Sequence, residues 1–115
     1  VVAEAEAFNL PLQVIAVESG PGSAPARSSI VTVDRPNVTV EAVKMADREP
    51  GVVVRLCEAW GARGPVRVSF DRPVHSAVRT DVLERDKAAV RVVGGGIELE
   101  LRPFEIVTLK LSLAL

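Results

Sequence analysis

The sequence predicts an all-β fold, an antiparallel two-sheet β-sandwich of about seven to nine short strands. Three observations carry this. Valine dominates the apolar residues, apolar stripes at helical spacing are hard to find, and Gly or Pro interrupts the chain at short intervals. There is no alternation of strand and helix patterns, so the layers that cover one another must both be sheets. With 115 residues, residues 1–115 make one ordinary domain, burying roughly two-thirds of the surface that the unfolded chain exposes.

Leu12 to Val17 reads as a strand, followed by the flexible loop Ser19-Gly20-Pro21-Gly22-Ser23-Ala24-Pro25. Ile30 to Val33 and Val38 to Ala42 alternate apolar with polar residues on either side of the turn Asp34-Arg35-Pro36-Asn37. Val43 and Met45 continue on the parity opposite to Val38, Val40 and Ala42, so the register over 43–47 requires a bulge or a strand covered on both faces. After the turn Asp47 to Gly51, Val52 to Trp60 is apolar enough to be central. Gly61-Ala62-Arg63-Gly64 is expected to close a hairpin from it to Val66 to Phe70. Val74 to Glu84 fits a bent strand and a short helix about equally. Val90 to Val93 and Ile97 to Leu101 read as a hairpin around Gly94-Gly95-Gly96. The run from Phe104 to Leu113 reads as a final core strand.

Composition excludes several classes of function. At 48% hydrophobic and 25% charged the chain is ordinary globular material. A net charge of −1 with both signs interspersed gives no footprint for a phosphate backbone, so no nucleic acid partner is expected. No stretch approaches the roughly 20 apolar residues of a membrane helix. Val1 to Ala7 interleaves Glu4 and Glu6 where a secretory leader would be basic and then apolar. The single Cys57 allows no internal disulfide, so oxidising secretion is not supported. The start at Val1-Val2 without a Met reads as a cut within a longer protein.

Candidate chemistry is sparse. His75 and Cys57 are the only residues of their kinds, too few for an ordinary structural zinc site, so no metal is expected in this domain. As a nucleophile and base they are unconvincing: Cys57 lies mid-strand as a small core thiol, and His75 sits beside Pro73 in a turn, solvated. Glu58 with Glu84, or Asp81 with Glu84, has the residue types of a glycosidase pair, but carboxylates on strands are usually solvated or paired across strands. Gly94 to Gly96 lacks the helix and Lys that a phosphate loop needs. Arg55 and Glu58 stand in an apolar strand, and an ion pair between them is the expected reading. Trp60, just before a turn and with no tyrosine in the chain to join it, is expected in the core. No catalytic, cofactor-binding or metal residue is assigned.

Four stretches taken in order resemble one family: Asn37 to Lys44, Val53 to Gly61, Thr80 to Arg85, and Arg102-Pro103-Phe104-Glu105-Ile106-Val107-Thr108-Leu109. With Ala7 to Leu12 ahead of them, they resemble the C-terminal β-domain of glycoside hydrolase family 38 α-mannosidases over nearly the whole chain, nearest to cytosolic-type and bacterial members. Cys57 stands where that family often has an aromatic. The resemblance implies a parent enzyme that hydrolyses α-mannosidic bonds with retention, using zinc and an aspartate nucleophile in a catalytic domain absent from this chain. It implies a non-catalytic domain that packs on and supports that catalytic domain, and it transfers no catalytic residue to any position here. The alternatives are an autonomous carbohydrate-binding module, which would need an exposed aromatic platform, and an oligomerisation sandwich pairing through an open strand edge.

Overall fold

The computed structural model describes residues 2–114. Its architecture follows from the period-two alternation in the sequence, which gives each strand one face toward a shared core. One helix precedes nine strands: α1 (Val2–Asn9), β1 (Val31–Val33), β2 (Val38–Met45), β3 (Val52–Glu58), β4 (Gly64–Phe70), β5 (Val74–Thr80), β6 (Asp86–Val90), β7 (Val92–Val93), β8 (Gly96–Leu101) and β9 (Ile106–Leu113). They form two antiparallel sheets, a four-stranded one in the order β1-β4-β8-β7 and a five-stranded one in the order β2-β3-β9-β5-β6. The predicted sandwich is the fold observed.

Val54, Leu56, Val107, Leu109 and Leu111 project inward from the five-stranded sheet onto Val66, Val68, Ile97 and Leu101 of the four-stranded one, all essentially inaccessible. Each such side chain contributes about 1.5–3 kcal/mol relative to leaving it in water. The parity switch in β2 is a bulge: the register against β3 slips between Val40 and Ala42, opposite Leu56 and Arg55. Val74 to Glu84 resolves into the strand β5, irregular next to His75, and a turn over 81–85. The Gly94-Gly95 turn joins β7 to β8, with both glycines at positive φ. Val90 belongs to β6 in the other sheet, so the chain changes sheets at Arg91.

Three expectations about the strands are overturned. Leu12 to Val17 forms no strand: it is irregular, and its apolar side chains point into solvent with nothing to pair with. The hairpin expected between Val52 to Trp60 and Val66 to Phe70 does not form. β3 pairs with β2 and β9, whereas β4 pairs with β1 and β8, so residues 59–63 cross between sheets. Positive φ at Gly61 turns the chain out of its sheet, and the alternation that suggested a hairpin is equally satisfied by strands in opposite layers. Phe104 lies outside the last strand, 69% exposed and in the left-handed backbone region, because Arg102 to Glu105 form another crossover turn.

A candidate docking end organised by Glu58

Three of the chain's crossovers between sheets lie at one end of the sandwich: residues 34–37 from β1 to β2, residues 59–63 from β3 to β4, and residues 102–105 from β8 to β9. A carboxylate at the last residue of β3 ties all three together. Glu58 is 1% exposed. Its Oε1 accepts from Asn37 Nδ2 at 2.8 Å and from the Trp60 backbone N–H at 3.1 Å; its Oε2 accepts from the N–H groups of Gly61 at 2.8 Å and Phe104 at 2.9 Å. Asn37 comes from the first crossover, Trp60 and Gly61 from the second, Phe104 from the third. Such crossovers leave backbone N–H groups without ladder partners, and a buried carboxylate with four acceptor sites satisfies several at once.

Burial by itself pushes the Glu58 carboxyl pKa up. Hydrogen bonds from Asn37 and from the backbone N–H groups of Phe104, Ala62 and Trp60 outweigh it and hold the group at about 2, against an ordinary 4.5. Arg55 is not its partner. Residues three apart on a strand face opposite sides of the sheet, and the Arg55 Nε donates instead to Thr108 Oγ1 at 3.3 Å on the outer face. The ion pair expected from the sequence is replaced by main-chain donors, which carry no sequence signal.

What the hub holds in place is aromatic and exposed. Trp60, expected in the core, is 66% exposed. β3 ends at Glu58, so Trp60 falls on the crossover, where Glu58 fixes its main chain. Phe104 adopts φ 56°, and its ring lies against Gly61, where even a Cβ would come within 2.8 Å of it. Gly61 is thus required twice, for its own φ of 77° and for the room it leaves. Alongside, Glu105 pairs with Arg79 at 2.6 Å and accepts from the Arg102 N–H at 2.8 Å, fixing the third crossover to β5. Burial raises its carboxyl pKa, but the Arg102 N–H and Arg79 prevail and lower it.

The remaining sequence candidates are dispersed. Cys57 is half-buried on the outer face of the five-stranded sheet, opposite Thr39 and Ile106, not in the core. Burial, and then the nearby Glu41 and Glu58, push its thiol pKa up, away from the reactive thiolate. His75 is exposed within β5, not in a turn, and sits next to the β9 pairing at Ser112. Cys57 pairs at Ile106, six residues along β9 from Ser112, which separates the two by about 20 Å. Glu84 lies on the outer face, 2.5 Å from Lys44, and accepts from the Asp47 N–H. The 81–85 turn thus folds across β9 and β3 to the opposite edge of the sheet. Asp81 binds Arg85 at 2.7 Å and caps the N–H groups of Leu83 and Arg85. Glu58 and Glu84 therefore occupy different faces, and Asp81 and Glu84 are each held by a cation; neither combination faces a cleft as an acid–base pair. Among the described residues no three His, Cys, Asp or Glu side chains gather as metal ligands, and no helix is long and apolar enough to cross a membrane.

Sequence reasoning found Glu58 and Trp60 but missed Asn37, Gly61 and Phe104 as parts of one unit. The available signal was a lone acid among apolar residues, which demands donors without naming them. Comparison with known proteins agrees with the resemblance. Residues 37–109 match the family model for the glycosyl hydrolases family 38 C-terminal beta sandwich domain. The chain is 33% identical over 119 residues to Alpha-mannosidase 2C1 of Homo sapiens, an alignment covering 98% of this chain and 11% of that protein's length. Glu58 and its donors Asn37, Trp60, Gly61 and Phe104 all fall within the matched region, and the chain belongs to the family of glycosyl hydrolases family 38 C-terminal beta sandwich domains.

Proposed function

We propose that this chain is the non-catalytic C-terminal domain of a cytoplasmic retaining α-mannosidase, and that it buttresses a zinc-dependent catalytic domain lying elsewhere in the parent. The observation that carries this reading is the pairing of two exposed aromatics, Trp60 and Phe104, with one buried carboxylate that fixes both main chains. Large aromatics held rigid and left in solvent are what a surface built to be covered looks like, since burying them returns a large apolar area at little conformational cost. The residues present do not suit a zinc ion. Glu58 is saturated with donors, Asp81 and Glu84 are held by cations, and His75 and Cys57 lie far apart. The metal chemistry belongs to the catalytic domain, and the role left to this chain is to position and stabilise it.

The exposed aromatics also favour a second reading, an autonomous carbohydrate-binding module that stacks a sugar on Trp60. Two assays on the isolated chain separate the readings. With a chromogenic α-mannoside and added zinc or cobalt, release of product stays at the blank level; turnover above it removes the non-catalytic claim. Titration with mannose and short α-mannosides leaves Trp60 fluorescence and the calorimetric heat unchanged. Saturable binding in the millimolar range or tighter moves the assignment to the binding module.

A further inference from the structure

The family match begins at residue 37 and the sandwich at Val31, yet similarity to the human relative extends over 98% of the chain. The stretch ahead of the sandwich therefore belongs to the same parent architecture. Within it, residues 10–17 read Leu-Pro-Leu-Gln-Val-Ile-Ala-Val, β-branched and apolar enough for a strand, but they take no regular structure. Leu10, Leu12, Val14, Ile15 and Val17 are between 76% and 96% exposed. Leu10, Leu12 and Val14 share one parity and Ile15 and Val17 the other, the pattern of a strand covered on both faces. The sandwich offers an apolar opening of about 740 Å³ at the end away from Glu58, lined by Ile30, Met45, Val52 and Leu113 among others, and residues 10–17 do not enter it.

Resting on the reading above, we propose that residues 12–17 are a donated strand, which adds to an exposed sheet edge in the part of the parent mannosidase that precedes this domain. The acceptor must present unpaired N–H and C=O groups along its edge and apolar cover on both faces, because the donor is apolar on both. Pro11, without an N–H, stands just ahead of the first position, where it removes no ladder donor from the strand. The twelve residues 18–29, with Gly20, Pro21, Gly22 and Pro25 among them, reach at most about 40 Å, so the strand can dock at a distance from the Glu58 end. The domain then engages its parent at two separate places, one by main-chain pairing and one by aromatic cover.

Backbone hydrogen exchange, mapped on the full-length parent and on this 115-residue chain, tests the proposal. The expected result is free exchange of the 12–17 amides in the isolated chain and, in the parent, protection of every second one of them by ~10²-fold or more. In the parent, one of Val14→Pro and Ile15→Pro removes that protection by deleting a donor that faces the acceptor edge, whereas Gln13→Ala keeps it. Equal exchange in both proteins overturns the proposal. Protection already present in the isolated chain also overturns it, placing the segment in its own groove if sedimentation shows a monomer and in a second copy if it shows a dimer. The amides of 59–61 and 102–105 are read in the same map. If they gain protection in the parent and 12–17 do not, the strand fails while the buttress stands; if neither gains, the buttress fails as well.

Discussion

Among the described residues Glu58 forms no salt bridge, and its charge is stabilised by oriented donors. This makes its contribution to folding depend on pH in a definite direction. The folded pKa, about 2, lies below the ordinary value of 4.5 that the unfolded chain shows, so the folded state binds fewer protons between those values. The stabilisation is fully present above pH 4.5 and disappears as pH falls through about 2. The lowered carboxyls of Asp81, Glu84 and Glu105 add to the same acid sensitivity. Glu58→Gln places an amide NH₂ against main-chain donors. Its melting temperature at pH 7 therefore falls below that of the wild type, and the gap closes as both are titrated from pH 4.5 to 2. A gap that stays constant through that range contradicts a role for the charge. The sequence marked Glu58 as an acid needing partners, and nearest-neighbour reasoning chose Arg55. The true partners were hidden because three of the four are backbone groups, and because the four donors come from three loops that only the tertiary fold places together.

At the level of elements, alternation located most strands and turns; the shift of parity at Val43 left a bulge and a strand covered on both faces open, and β2 has the bulge. It could not say which sheet each strand joins. Strands in opposite layers of a sandwich show the same inward and outward period as strands in one sheet, which is why 59–63 looked like a hairpin and is a crossover. Leu12 to Val17 failed for another reason: strand composition is a demand for an edge, and among the described residues the segment pairs with none. The last strand gives a direct check on where the core ends. Leu109 is fully buried between the sheets, so Leu109→Ala costs about 2–5 kcal/mol in denaturant unfolding. Phe104→Ala, in the exposed crossover, costs less than about 1 kcal/mol. Equal costs would place Phe104 inside the core after all.

For the whole molecule, the two ends of the sandwich differ in character. At one end the crossovers are locked by Glu58 and Glu105 and present Trp60 and Phe104; at the other the sheets open over Ile30, Met45, Val52 and Leu113. Ion pairs hold the outer face of the five-stranded sheet: Lys44 with Asp47 and Glu84, and Lys110 with Glu49 and Asp86. The aromatic end is the one expected to meet the catalytic domain, because Trp60 and Phe104 are exposed there on main chain that Glu58 holds in place. The measurement that tests this most directly is thermal unfolding of the full-length parent carrying Trp60→Ala with Phe104→Ala, followed by residual α-mannosidase activity and compared with the same pair of changes in the isolated domain. The account predicts that inactivation of the parent shifts to clearly lower temperature while the isolated domain melts almost unchanged. A parent inactivated at the wild-type temperature would show that the catalytic domain does not lean on this surface.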